Sequence, residues 1–165
     1  MPLRDQMIKR ILIICIGNIC RSPMAEGLMK RALPDLDISS AGLGALVGQP
    51  ADPNAIALML EKGIDISAHR ARQMESWMIA TADLVLVMDT EQKDHLVMQY
   101  PLYRSKTYRL IENNKYDIAD PFHQGLDAFR EAANLIEEGV HAWVVRIKTI
   151  SNLTGLRSVD QSLDH

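Results

Sequence analysis

Apolar residues in this chain follow two rhythms, and the two alternate along it. Ile8 and then Ile11 to Ile14 make a short, nearly unbroken apolar run, and Leu84 to Met88 make another. Runs of this length, rich in branched side chains, read as strands buried on both faces of a parallel sheet. The spacing therefore predicts strands over residues 8–14 and 83–88. Short segments at 36–39 and 107–110 are weaker strand candidates. Between them the period lengthens. Residues 23–33 read as a helix, with Ser22 at the N-cap and Pro23 at the first helical position. Asp52-Pro53 opens a second helix that ends near Gly63. A third is expected over 74–80 and a fourth over 90–100, stopped by Pro101. In the last helix Leu126, Phe129, Ala133, Ile136, Val140, Trp143, Ile147 and Ile150 recur at three- and four-residue steps, one face of a long amphipathic helix. Residues 42–49 and 113–124 read as loops. Met59, Met74, Met78, Met88 and Met98 are expected to fill the core.

Strands alternating with helices predict an α/β domain with a small parallel sheet, in which ligands sit beyond the carboxyl ends of the strands. With 165 residues the chain suits one domain, expected over residues 1–150 and followed by a polar, flexible tail over 151–165. A net charge of −3 gives no field that would draw the protein to nucleic acid or to an anionic membrane. No apolar stretch is long enough to span a bilayer. The run before Cys15 is too short for a signal-peptide core and lacks a small-residue cleavage site after it. The two cysteines, Cys15 and Cys20, lie in one segment and cannot staple distant parts of the chain, which fits a reducing compartment. A soluble, cytoplasmic protein is expected.

The chemistry gathers where the first strand meets the first helix, in Cys15-Ile16-Gly17-Asn18-Ile19-Cys20-Arg21-Ser22-Pro23. Cys15 stands at a strand's carboxyl end just before a helix N-terminus, where backbone N–H groups bind anions and favour a thiolate, the nucleophilic form. Arg21 brings a planar fork of donors suited to two phosphate oxygens. Gly17 permits close backbone approach, and Asn18 is one of the few other residues that tolerates the left-handed region. A bare cysteine and arginine at this spacing arise often by chance. Strand, glycine, asparagine, Ser-Pro and helix in this order make a phosphate-handling loop the favoured reading. Asp89, beside a strand end, is a candidate helix N-cap and site wall. Asp120-Pro121 alone would be only a turn.

The segment from Cys15 to Glu26 resembles the signature of the low-molecular-weight protein tyrosine phosphatases. The similarity runs over residues 9–148. It includes Ser40-Ala41-Gly42, Gly48-Gln49-Pro50-Ala51-Asp52, Gly63-Ile64-Asp65, His69-Arg70-Ala71-Arg72-Gln73, Met88-Asp89 and Asp120-Pro121. The stretch from Ser40 to Gly48 most resembles the bacterial branch that acts on tyrosine autokinases of capsule and exopolysaccharide export. The resemblance implies a three-layer fold, with a four-stranded parallel sheet in the order 2-1-3-4 between helices. It implies hydrolysis of phosphotyrosine in proteins through a cysteinyl-phosphate, with Cys15 as nucleophile, Arg21 on the equatorial oxygens and Asp120 as general acid, then general base. Asp117 is the nearest rival to Asp120. Ser22 would assist departure of Cys15, and Asn18, bonded with Ser40 and His69, would hold the loop. Leu46 and Phe122 would wall the pocket together with Asp89, and Cys20 would be a redox partner of Cys15. No metal or other cofactor is implied, and phosphate-like oxyanions should inhibit. After Asp120-Pro121 the family often carries two aromatics, whereas this chain has Phe122 and His123.

Two rivals share parts of this pattern. An arsenate reductase can use the same loop, but the form that relays oxidation to two downstream cysteines is impossible here, because none follows Cys20. A form using an external small thiol stays open. A phosphopeptide-binding module without turnover would be expected to lack Cys15, Arg21 or Asp120, and all three are present.

Overall fold

The computed structural model describes residues 7–112 and 116–163, with side chains as far as Ser151. In chain order the elements are β1 (Arg10–Cys15), α1 (Arg21–Ala32), β2 (Asp37–Gly42), α2 (Pro53–Glu61), α3 (Ser76–Thr81), β3 (Leu84–Val87), α4 (Thr90–Gln99), a 3-10 segment (Pro101–Lys106), β4 (Thr107–Arg109) and α5 (Leu126–Leu163). The strands form one parallel sheet in the order β2-β1-β3-β4, as expected. The central strands explain the unbroken apolar runs. Ile11, Ile13, Leu84 and Leu86 pack on one face with Met24 and Leu28 of α1, Met59 of α2 and Phe129 of α5. Leu12, Ile14, Val85 and Val87 pack on the other face against Met78 and Ile79 of α3 and Leu96 of α4. A strand covered on both sides has no polar face, so its sequence does not alternate. Each such side chain contributes about 1.5–3 kcal/mol by leaving water.

Several boundaries differ from the sequence expectation, each for a local reason. β2 runs to Gly42 because Ser40, Ala41 and Gly42 pair with Ile13, Ile14 and Cys15; small and polar residues hid this extension. Asp52 and Asp89 do cap their helices, accepting from Asn54 N at 2.9 Å and Gln92 N at 2.8 Å. Ser22 does not cap α1: Cys20 holds that position, and the Ser22 hydroxyl is engaged in the loop. Met98 is not core. It is 85% exposed, because α4 turns Gln92 and Leu96 inward and leaves Met98 on the opposite side, whereas Met59, Met74, Met78 and Met88 are buried. Leu126, the first residue of α5, is also exposed. The backbone of α5 continues past Ile150 to Leu163, into the segment expected to be a polar, flexible tail; no proline interrupts it. Among the described residues no helix is long and apolar enough to cross a membrane.

Candidate active site

β1 ends at Cys15, and after five intervening residues α1 begins at Arg21. What shapes the intervening loop is where its carbonyls go. The oxygens of Cys15, Ile16 and Gly17 accept from Leu43 N, Gly44 N and Leu46 N, each at 3.0 Å, and that of Ile19 accepts from Asp52 N at 2.8 Å. The Asn18 oxygen lies 2.6 Å from His69 Nε2. A carbonyl only accepts, so this nitrogen carries the ring hydrogen. Five successive carbonyls thus point out of the loop, and the peptide N–H groups, opposite them, turn inward. Such a concave run of N–H groups at a helix start is an anion site. The loop also lies tight on the end of β2. A Cβ on Gly42 would stand 2.3 Å from Ile16 O, closer than any real side chain allows.

Asn18 makes the turn, with φ of 59°. A left-handed asparagine persists where its surroundings over-determine it. Its Nδ2 donates to Ser22 Oγ at 2.8 Å and Ser40 Oγ at 3.0 Å, and its Oδ1 accepts from Arg72 N at 3.0 Å. Arg72 Nε then donates to Ser40 O at 2.8 Å. Cys15 Sγ accepts from Asn18 N at 3.3 Å and lies 2.8 Å from Ser22 Oγ. Both contacts stabilise negative charge on sulfur when the hydroxyl donates. Cys20 is buried beside them. Burial, then the nearby charges of Asp52, Asp120 and Cys15, push its thiol far above the ordinary cysteine range. Cys20 is therefore a thiol, not a competing nucleophile.

Arg21 is 2% exposed. Its NH1 donates to Ile118 O at 2.8 Å and Asp89 Oδ2 at 3.2 Å, and its NH2 stands 3.7 Å from Asp120 Oδ2. Its Nε is buried without a hydrogen-bond partner among the described residues. One edge of the guanidinium is thus anchored, while the Nε–NH2 edge suits a pair of anionic oxygens. Asp89 is accordingly an anchor for Arg21 as well as a helix cap. It lines a groove that adjoins the pocket around Cys15 and shares Ile16, Arg21, Gly44 and Asp120 with it.

That pocket is a slot of ≈ 160 Å³, lined by Cys15, Arg21, Gly44, Leu46, Asp120 and Phe122. Leu46 is 44% exposed at its rim. Asp120 is about half-exposed, and its Oδ1 accepts from Phe122 N at 3.1 Å, which ties the carboxylate to the ring beside it. Asp117 is elsewhere. Burial opposes its ionisation, but bonds from Arg109 NH1 and from Thr90 N and Oγ1 outweigh that and hold its carboxyl below the ordinary range. Sequence reasoning missed the backbone of Arg72 and the carbonyl of Ile118. Every residue carries such groups, so no side-chain pattern could have singled them out.

A cysteine sulfur, a guanidinium anchored along one edge and a half-exposed carboxyl thus face one narrow, partly apolar slot. Comparison with known proteins bears on the family of the chain. The sequence profile described as low molecular weight phosphotyrosine protein phosphatase matches residues 10–153. The probable low molecular weight protein-tyrosine-phosphatase EpsP of Ralstonia nicotianae is 50% identical over 144 residues, 87% of this chain and 99% of that one. The crystal structure of the tyrosine phosphatase AmsI of Erwinia amylovora superposes with a TM-score of 0.82 at 39% identity, covering 86% of this chain and 95% of the other. Wzb of Vibrio vulnificus, in complex with benzylphosphonate, gives a TM-score of 0.80 at 35% identity, with 84% and 99% covered. The chain belongs to the low molecular weight phosphotyrosine protein phosphatases.

Proposed function

We propose that the protein hydrolyses phosphotyrosine in proteins through a cysteinyl-phosphate. The observation that carries this is the convergence of Cys15, Arg21 and Asp120 on a slot with apolar walls. The Cys15 thiolate attacks phosphorus while the bond to the phenolic oxygen breaks, and Asp120, as the carboxylic acid, gives that oxygen its proton. The inward N–H groups and the Nε–NH2 edge of Arg21 hold the three equatorial oxygens as charge moves between attacking and leaving atoms. Asp120, now a carboxylate, takes a proton from water, which attacks phosphorus and breaks the P–S bond. Ser22 Oγ, 2.8 Å from the sulfur, donates to the departing thiolate. Orthophosphate leaves. Asp117 is unsuited to the acid role because its three hydrogen bonds hold it as the anion.

The physiological substrate in this reading is a bacterial tyrosine autokinase of exopolysaccharide export, met in the cytoplasm. Similarity to EpsP and the paired cysteines, suited to a reducing compartment, support it. Phosphate-like oxyanions inhibit by occupying the loop; the Wzb neighbour holds benzylphosphonate, an aryl-bearing oxyanion of this kind. The decisive assay is phosphate release from phosphotyrosine, phosphoserine and phosphoarginine peptides, with capture of substrate from the native host by a Cys15→Ser protein. Phosphotyrosine should be preferred over phosphoserine by a large margin, because Cys15 is buried in a partly apolar slot that a flat ring can fill and a serine methylene cannot. Phosphoarginine is the stricter control, since its guanidinium is also flat. Leu46→Ala and Phe122→Ala should each raise KM for aryl phosphates by roughly threefold to tenfold, since each covers part of a ring. Equal rates on phosphotyrosine and phosphoserine would mean an open site and would count against the proposal.

The same sulfur lines the slot, where a small oxidant can reach it. Hydrogen peroxide converts the Cys15 thiolate to a sulfenic acid with loss of hydroxide, and the Cys20 thiol then displaces water to form a Cys15–Cys20 disulfide. Because Cys20 is held protonated, Cys15 is the group that peroxide meets first. Mild peroxide should inactivate the enzyme, and a dithiol should restore it. In Cys20→Ser, activity in reducing buffer should be near normal, but peroxide damage should be largely irreversible. Equal recovery of wild type and Cys20→Ser would leave Cys20 a packing residue only.

A further inference from the structure

The catalytic slot adjoins a second groove of ≈ 560 Å³. Leu43, Asp89, Glu91, Gln92 and His95 belong to the groove alone, and Ile16, Arg21, Gly44 and Asp120 line both cavities. A chain whose aromatic side chain stands in the slot can therefore run across the mouth of this groove. The groove is acidic. Asp89 and Asp120 face Arg21 at 3.2 and 3.7 Å, so one cation is divided between two carboxylates. Glu91, exposed in the first turn of α4, adds a third carboxylate that has no ion pair among the described residues. Gln92 is a second and independent pointer to a ligand. It is 2% exposed, its Oε1 accepts from Met88 N at 2.9 Å, and its Nε2 is buried without an acceptor among the described residues. A buried amide nitrogen left unpaired is costly unless an acceptor arrives, and a peptide carbonyl is such an acceptor.

We propose that this groove receives the peptide segment flanking the phosphotyrosine. Gln92 Nε2 donates to one of its carbonyls, and Glu91 with Asp89 selects a lysine or arginine near the phosphorylated residue. The inference rests on the phosphotyrosine reading above and adds a sequence preference to it. Glu91 is a specificity residue here, outside the reacting atoms, so its replacement separates selection from catalysis.

The test compares wild type, Glu91→Gln and Glu91→Lys. The substrates are phosphotyrosine peptides carrying lysine or glutamate at single positions on either side of the tyrosine, and p-nitrophenyl phosphate, which has no flanking chain. Wild type should favour lysine over glutamate at one or more positions by roughly threefold to tenfold in kcat/KM, mainly through KM, the scale of a partly exposed ion pair. Glu91→Gln should reduce the preference and Glu91→Lys should invert it, while rates on p-nitrophenyl phosphate stay within about twofold; high salt should weaken the preference in wild type. A wild type that cleaves every phosphotyrosine peptide equally, or that favours glutamate, overturns the inference and leaves the proposed activity standing. The inference fails in the same way if Glu91 variants lose activity on peptides and on p-nitrophenyl phosphate by one common factor. Failure to cleave any phosphotyrosine peptide would overturn both.

Discussion

Cys15→Ser should lower turnover by on the order of 10⁶-fold, the scale seen when a nucleophile is removed from a catalytic unit. A serine hydroxyl is far less acidic than a thiol and does not supply the anion that attacks phosphorus. The rest of the site should survive. The loop is held by main-chain bonds from Leu43, Gly44, Leu46 and Asp52, none of which uses the cysteine side chain. A serine oxygen can also replace sulfur in the contacts with Asn18 N and Ser22 Oγ. Phosphate binding by titration calorimetry and the thermal midpoint should therefore stay near wild type while phosphate release vanishes. Appreciable turnover by a pure Cys15→Ser sample would sink the mechanism. Arg21→Ala should also nearly eliminate activity, but it is a poorer test. It would leave Asp89 and Asp120 facing one another without the guanidinium between them, so lost stability would be mixed with lost catalysis.

How far the sequence could be read depended on what kind of group carried each feature. The central strands announced themselves because Ile11 to Ile14 and Leu84 to Val87 are covered on both faces. The end of β2 did not, since Ser40 and Gly42 look like loop residues until their pairing with β1 is seen. Met98 was misread because a methionine on a short helix carries no sign of which way it faces, and Leu96 already fills the buried side of α4. In the site, Cys15 and Arg21 were legible as chemistry, whereas Asp120, Leu46 and Phe122 were implied by the family resemblance; all five line the slot. The groups that set their orientation were not legible. Ile118 O and Arg72 N act through main chain, and Ser22, which looked like a helix cap, turns its hydroxyl to Cys15 and Asn18. Asp89 lay between these cases. Its cap could be expected from position, but its grip on Arg21 spans 68 residues and appears only in the fold.

Asp120→Asn should reduce activity on phosphotyrosine by ~10²–10⁴-fold, the usual contribution of a positioned general acid. The loss should shrink as the leaving group becomes a more stable anion, because such a phenolate departs without a proton. A series of aryl phosphates of falling leaving-group pKa would show this as a steep dependence in the variant and a shallow one in wild type. Asparagine keeps the oxygen that accepts from Phe122 N at 3.1 Å, so the turn and the Phe122 wall should persist and the change should report on the proton alone. Asp117→Asn is the control. Its carboxylate holds Arg109 and Thr90, so replacing it should affect stability more than the leaving-group dependence. The sign of that stability effect is set by its lowered pKa. The contribution is present above the ordinary aspartate range and is lost as pH falls through the depressed folded value, so acidification should narrow the difference between wild type and Asp117→Asn. If Asp120→Asn loses one constant factor across the whole aryl series, Asp120 is not the proton donor. If Asp117→Asn instead shows the steep dependence, the roles assigned to the two carboxylates are reversed.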